Sequence, residues 1–327
     1  MKPSSKASAI GERYEALMPK YRQLIEEVQF ALSRDLDTTN LKVALSGRVK
    51  TLESLLEKIT RKEYRDPLCE ITDLAGVRAV CQFTSDAEDV EKMVRRLFTV
   101  VEEVDKAQKL RVDRMGYLAT HFIVQLCADS RGPRYDHLLG LKCEIQVKTI
   151  LQDAWAQIDH LLMYKSKESI PEKERRELNN VASLLEIAQS IFDRTRETRT
   201  QYVEEVQSKK DRPVEFLQQV IDRETLAAYT QLRYPNLPVN SRVQEILLGD
   251  LDRSRYRTPN DIESMVLASA DAVAAYEQEA PELFKAGTDY ITKSLGFADP
   301  AFRAAHGFAA RTRQAFTKFD SLVRKVA

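Results

Sequence analysis

Apolar positions recur at helical spacing over residues 10–33, and the turn-formers of residues 35–40 (DLDTTN) then break the pattern. Residues 46–64 predict an amphipathic helix, with Val49, Leu52, Leu55, Leu56 and Ile59 on one side. Residues 76–83 (GVRAVCQF) are rich in β-branched side chains and predict a strand. Helical period returns over residues 85–98. Two further strands are expected at residues 117–127 (YLATHFIVQLC) and 141–149 (LKCEIQVKT), with Gly132, Pro133 and Gly140 punctuating the link between them. From residue 150 onward the pattern is helical, including a long helix over residues 171–208. Shorter helical segments follow a break at Arg212-Pro213, separated by Tyr234-Pro235, Thr258-Pro259 and Ala280-Pro281. The pattern describes a mixed α/β core followed by a helical tail, with no internal repeat and no low-complexity segment.

Composition narrows the function classes. The chain has 327 residues, 43% hydrophobic, 31% charged, and a formal net charge of zero. That length allows one large domain or two ordinary ones. Neutrality offers no bulk attraction to nucleic acid or an anionic membrane, so any anion-binding site must be local. Residues 1–10 are polar and lack the apolar stretch of a secretory signal, and no apolar run approaches the roughly 18 residues of a membrane span. A cytoplasmic location without a membrane partner is the expectation. Cys69, Cys81, Cys127 and Cys143 have no CxxC spacing, which argues against a zinc site or a disulfide framework; three of them sit in apolar, strand-like surroundings, which suits buried, reduced thiols.

Four constellations carry candidate chemistry. On the expected helix over residues 46–64, Lys50, Ser54, Lys58 and Arg61 fall on one stripe beside the apolar face. Such a stripe suits a polyphosphate and equally suits a solvated basic face. Arg48 would point into the apolar face of that helix, so it is expected in a loop with Gly47 just before it. Asp73, ahead of the strand at residues 76–83, is either a turn residue or a carboxylate aimed at a metal at the strand mouth. In residues 142–149, alternation puts Glu144, Gln146 and Lys148 on one face and Cys143, Ile145 and Val147 on the other. A polar ladder of that kind is costly to bury unless it binds something, and is otherwise an exposed sheet face.

Alternation also places Tyr117 and His121 on one face, after the basic stretch that holds Lys106, Lys109, Arg111 and Arg114. Tyr117 offers a stacking surface and His121 a hydrogen-bonding partner, or both sit unremarkably at a sheet margin. On the helix from residue 150, Leu151, Trp155, Ile158 and Leu162 make an apolar stripe. Asp153, Gln157, His160 and Tyr164 make a separate polar one. Following a polar-faced strand directly, that helix is expected to line one pocket with it, unless the polar stripe is simply a wet face.

Taken in order, RVKTLESLLEKI, DLAGVRAV, GYLATH, EIQVKT and DAWAQIDHLLMYK resemble the synthetase domain of the RelA/SpoT alarmone synthetase family, over residues 41–202. The resemblance implies an α+β fold, a nucleotidyltransferase-like mixed sheet flanked by helices, with an added C-terminal helical region. With the helical pattern on either side of the motifs, the expected domains are a helical segment at residues 1–40, a RelA/SpoT-like synthetase domain at residues 41–210, and a helical region of unassigned role at residues 211–327. The implied activity is pyrophosphate transfer from ATP to the 3′-hydroxyl of GDP or GTP, which makes the stringent-response alarmone (p)ppGpp. By resemblance Asp73 and Glu144 are catalytic and hold Mg²⁺, while Arg48, Lys50, Ser54, Lys58 and Arg78 grip ATP. Tyr117 stacks on the acceptor base, and His121, Gln146, Lys148 and Arg114 serve the acceptor nucleotide.

Long members of the family carry an N-terminal hydrolase that needs several histidines. His121, His137, His160 and His306 all lie within or after the motifs, so a short, synthetase-only member is expected. The departures from the family pattern cluster near the acceptor motif. Asp113, Arg114 and Met115 precede Gly116 where a Lys and an Asn are usual, and Leu118 and Ala119 replace a polar residue and Ser. Asp153 stands where His or Asn is usual, and Gln157 and Asp159 where Glu is frequent. Two other readings therefore stay open. One is a toxin-type pyrophosphotransferase acting on adenine nucleotides or the 3′ end of tRNA. The other is an inactive alarmone-binding protein, against which the intact Asp73 and Glu144 argue. For residues 212–327 a homo-oligomer interface, a sensor and a built-in neutraliser all remain open.

Overall fold

The computed structural model describes residues 5–62, 64–105, 119–163, 171–209 and 212–324. The chain divides into two compact units, Met1–Arg196 and Glu197–Ala327.

The first unit opens with α1 (Ser5–Leu36), then β1 (Val43–Val49), α2 (Leu52–Arg61), a short α3 (Pro67–Glu70) and β2 (Ala75–Cys81). It continues with α4 (Thr84–Leu97), β3 (Thr99–Asp105), β4 (Thr120–Gln125), β5 (Cys143–Thr149), α5 (Ile150–Met163) and the start of α6 (Glu172–Lys209). The strands form one mixed sheet in the order β1-β2-β5-β4-β3. β2 and β5 are parallel neighbours at its centre, and the other pairings are antiparallel.

Strand alternation divides the sheet into two chemically distinct faces. Val77, Ala79, Cys81, Phe122, Val124, Cys143 and Ile145 are fully buried on one of them, in a core shared with Tyr14, Leu24, Val28 and Leu32 of α1 and Val90 and Val94 of α4. The other face carries Ser46, Arg48, Arg78, Gln146 and His121, which the register sets side by side. Ser46 opposes Arg78, Arg78 opposes Gln146, and Gln146 opposes His121. α6 is tied to the start of α4 by Asp193, which accepts from Thr84 N at 3.0 Å and from Thr84 Oγ1 at 2.6 Å, and by an Arg196–Asp86 ion pair.

The strands expected at residues 76–83, 117–127 and 141–149 are present as β2, which starts one residue earlier and ends two earlier, β4, and β5; residues 117–118 lie outside the described residues. The single helix expected over residues 46–64 is not what forms. Val43–Val49 is a strand, and the helix begins only at Leu52, behind a Thr51 N-cap that accepts from Ser54 N at 3.2 Å. Arg48 accordingly lies in β1 and not in a loop, and Lys50 lies between the strand and α2. The reason is long-range: all seven residues of β1 find partners along β2, a ladder that helical spacing cannot foreshadow. β3, a polar edge strand of sequence TVVEEVD, also had no expected counterpart.

The second unit holds the rest of α6, followed by α7 (Pro213–Leu217), α8 (Arg223–Arg233), α9 (Ser241–Arg253) and α10 (Pro259–Glu279). Beyond them lie α11 (Gly287–Ala298), α12 (Pro300–Ala305) and α13 (Ala310–Lys318). The prolines that punctuate the sequence fall at helix boundaries, as at Pro259 in the first turn of α10. The alanine-rich stretch within α10 is core: Ile262, Val266, Ala272 and Tyr276 are buried. Tyr276 meets Phe284 and Phe297 edge-on, and Phe316 packs edge-on against Phe297. No helix among the described residues is long and apolar enough to cross a membrane.

Candidate active site

Two adjoining cavities open on the polar face of the sheet. The first is lined by Ser46, Gly47, Arg48 and Lys50 from β1 and its exit, by Asp73, Gly76, Val77 and Arg78 at β2, and by Glu144 and Gln146 of β5. The second, of about 710 Å³, is floored by Arg48, Arg78, His121, Gln146 and Lys148 and walled by Gln152, Gln157, Ile158, His160 and Leu161 of α5. That volume is in the range of small-molecule sites, about 300–1,000 Å³. Arg48, Arg78 and Gln146 belong to both linings.

Asp73 centres the first cavity. Its Oδ2 accepts from Lys50 Nζ at 2.8 Å and faces Lys58 Nζ at 2.9 Å. Its Oδ1 is buried and has no hydrogen-bond partner among the described residues. Burial opposes ionisation of Asp73, but the hydrogen bonds and charges of Lys50 and Lys58 outweigh it and hold the carboxyl below its ordinary value. With Arg48 and Arg78 beside them, the cations around this cavity outnumber its carboxylates. The globally neutral chain thus has a local excess of positive charge here.

Glu144 lines the first cavity and contacts two residues that line the second, with each oxygen engaged. Oε1 faces His121 Nδ1 at 2.7 Å, and Oε2 accepts from Gln146 Nε2 at 2.8 Å. Sheet register brings these groups together, because His121 of β4 is directly opposite Gln146 of β5. Lys148, one step further along β5, is 3% exposed and pairs with Asp153 at 3.2 Å. Burial pulls its ammonium below the ordinary lysine value, and the charge of Asp153 pushes back.

The structure therefore brings Arg48, Lys50, Lys58, Asp73, Arg78, His121, Glu144, Gln146 and Lys148 to one face of the sheet or its rim. Ser54 is placed in the first turn of α2, where its hydroxyl accepts from Thr51 Oγ1 at 2.9 Å, and it lines neither cavity. Tyr117, Arg114 and Tyr164 lie outside the described residues. On α5, Trp155 is buried with Ala182 of α6, but Ile158 and Leu162 are 46% and 43% exposed. The expected apolar stripe is therefore core only at its start, and Ile158 turns to the second cavity. Ser46, Gly76, Gln152 and Ala156 also line the site without having been singled out. Gly76 alone had a signal, as the residue after which the β-run begins.

A family described as "Region found in RelA / SpoT proteins" matches residues 47–169. The GTP pyrophosphokinase YjbM of Bacillus subtilis (strain 168) is 35% identical over 173 residues, which cover 50% of this chain and 78% of that protein. The GTP pyrophosphokinase YwaC of the same organism is 31% identical over 149 residues, covering 42% of this chain and 66% of that protein. Among solved structures, the small alarmone synthetase 1 from Bacillus subtilis aligns with 58% of this chain and 99% of its own, at 27% identity and a TM-score of 0.49. The chain belongs to the RelA/SpoT family.

Proposed function

We propose that this protein transfers a pyrophosphate group from ATP to the 3′-hydroxyl of GDP or GTP, releasing AMP and forming (p)ppGpp. The observation that carries this reading is the pair of cavities sharing Arg48, Arg78 and Gln146, one centred on Asp73 with its lysines, the other on His121 and Lys148. Two substrates seated in the two cavities would meet at the shared residues, which is what a direct transfer requires. Membership of the family, and two relatives named GTP pyrophosphokinase, support the same reaction.

In this reading the phosphates of ATP lie at the first cavity, which encloses about 80 Å³, with Arg48, Lys50, Lys58 and Arg78 around them. Ser54 is assigned to the ATP side from its motif. The acceptor occupies the second cavity, against His121, Gln146 and Lys148, with Tyr117 stacking on the base and Arg114 near the phosphates, both assigned from the motif alone. The acceptor 3′-oxygen attacks the β-phosphorus of ATP, the bond from that phosphorus to the α–β bridging oxygen breaks, and AMP leaves. Glu144 takes the proton of the 3′-hydroxyl, oriented for it by His121 and Gln146. The surrounding cations offset the charge that develops on the transferred group.

Asp73 and Glu144 suit Mg²⁺, which takes one or two carboxylates together with substrate phosphates and water. The buried Oδ1 of Asp73, without a hydrogen-bond partner among the described residues, is the specific observation in favour. Bound there, the ion would add charge neutralisation to the phosphates. A nucleotide reaction of this kind, and four free thiols, fit the cytoplasm.

The test is incubation of the full chain with γ-labelled ATP, Mg²⁺ and, separately, GDP, GTP, ADP or tRNA. Label on GDP or GTP is expected. Label only on ADP or tRNA would replace the reading with the toxin-type reaction, and nucleotide binding without transfer would replace it with a binding protein. Glu144→Gln should lower turnover by about 100-fold or more at saturating Mg²⁺. Near-normal turnover would remove Glu144 from proton transfer.

A further inference from the structure

Asp153 lies in the first turn of α5 and makes two contacts that converge on the second cavity. Its Oδ1 is 3.2 Å from the ammonium of Lys148, and its Oδ2 accepts from Gln157 Nε2 at 2.7 Å, one helical turn further on. Lys148 and Gln157 both line that cavity, and Asp153 does not. A carboxylate only accepts, so Gln157 must turn its NH₂ group to Asp153 and keep its carbonyl oxygen for another partner.

We propose that Asp153 is a positioning residue for the acceptor nucleotide, holding Lys148 as a fixed cation and Gln157 as a fixed hydrogen-bond acceptor on one wall of the second cavity. The inference rests on that cavity being the acceptor site. Its chemistry suits a nucleotide with phosphates for Lys148 and a base edge bearing N–H donors, such as that of guanine, for Gln157. The burial of Lys148 makes the pairing consequential. Desolvation disfavours its charge and Arg78 repels it; Asp153, 3.2 Å away, is the larger of two carboxylate influences that oppose this, with Glu144 adding to it, and is the one that pairs directly with the ammonium.

The experiment compares the full-length protein with Asp153→Asn, which keeps the shape and removes the charge. It measures KM for GDP, KM for ATP and the thermal midpoint. The expected result is a rise in the GDP KM on the order of tenfold, with the ATP KM within about twofold and the thermal midpoint retained. A merely structural role would lower the thermal midpoint or move both KM values together, and either outcome overturns the proposal. Unchanged KM values overturn it as well. If the Asn variant does not fold, Gln157→Leu at its exposed position carries the same comparison: a rise in the GDP KM alone supports the proposal, and no change overturns it. A wild-type chain that neither binds nor uses GDP or GTP overturns the acceptor-site reading and this proposal together. Normal wild-type turnover with an unmoved variant overturns this proposal alone.

Discussion

The buried hydroxyl of Tyr14 donates to the backbone carbonyl of Lys50 at 2.6 Å, joining the N-terminal helix to the residue whose side chain holds Asp73. Burial, with the charges of Tyr21 and Asp73 adding to it, pushes the Tyr14 hydroxyl up to about 12, so it remains a donor throughout the neutral range. Tyr14→Phe keeps the ring in the core and removes only this bond. It should cost about 1 kcal/mol of stability and weaken ATP binding more than GDP binding. Denaturant titration and separate nucleotide-binding isotherms check this, and equal weakening of both nucleotides would sink it.

Gly47 of β1 lies close against α1. A Cβ there would lie 2.2 Å from Ile25 Cγ2 and 3.0 Å from Gln29 Oε1. Gly47→Ala should destabilise the first unit by about 1–3 kcal/mol, the usual cost of overpacking. Because the obstacle is chiefly the Ile25 side chain, adding Ile25→Ala should cost less than the sum of the two single changes. Urea unfolding of the three variants measures the coupling; strict additivity would mean that the contact is not the cause.

Acid sensitivity has a readable sign at Asp261 in the first turn of α10. Its Oδ2 accepts from Arg257 N and Thr258 N, each at 2.8 Å. Burial opposes its ionisation, but these backbone hydrogen bonds outweigh it and hold the carboxyl below its ordinary 3.8. A depressed folded value contributes stability that is complete above the unfolded value and is lost as pH falls through the folded one. The stability difference between wild type and Asp261→Asn should therefore be flat from pH 7 to about pH 5 and shrink below pH 4. Thermal melts across that range decide it, and a difference that grows on acidification would contradict the assignment.

Thiol reactivity should divide by burial. Cys81 and Cys143 are buried in the sheet core; burial pushes the Cys81 thiol up to about 12 and raises that of Cys143 strongly. Cys69 is exposed, and Cys127 is half-buried with its thiol donating to Leu97 O at 3.3 Å. Alkylation of the native protein at pH 8 should modify Cys69 first, then Cys127, and spare the other two until denaturant is added. Peptide mapping by mass reads the order, and early labelling of Cys143 would contradict the packing of β5.

The site was legible wherever it depends on local period. Glu144, Gln146 and Lys148 share a face because strand alternation is intrinsic to the backbone, and β5 has the face division that its sequence implies. β1 was illegible for a physical reason. Its polar centre, Ser46-Gly47-Arg48, faces partly open space at the sheet edge, and the helical spacing of α2 begins before the helix does. Lys50 and Lys58 were placed on one helical stripe. Both do converge on Asp73, but from a strand exit and a helix, through the turn capped by Thr51.

The sequence by itself determined the alternating faces of β2 and β5, the helical character of the tail, and the ordered motifs that mark the RelA/SpoT family. These follow from residue spacing along one segment at a time. The tertiary structure decided the order of the strands, the register that sets Arg78, Gln146 and His121 in one row, and the close pairing of His121 with Glu144. It also decided that Asp73 receives two lysines and that Asp153 reaches back to Lys148. All but the last are contacts between separate segments, selected by how the whole sheet buries its apolar face, and the last depends on how α5 turns out of β5; no local period encodes those choices.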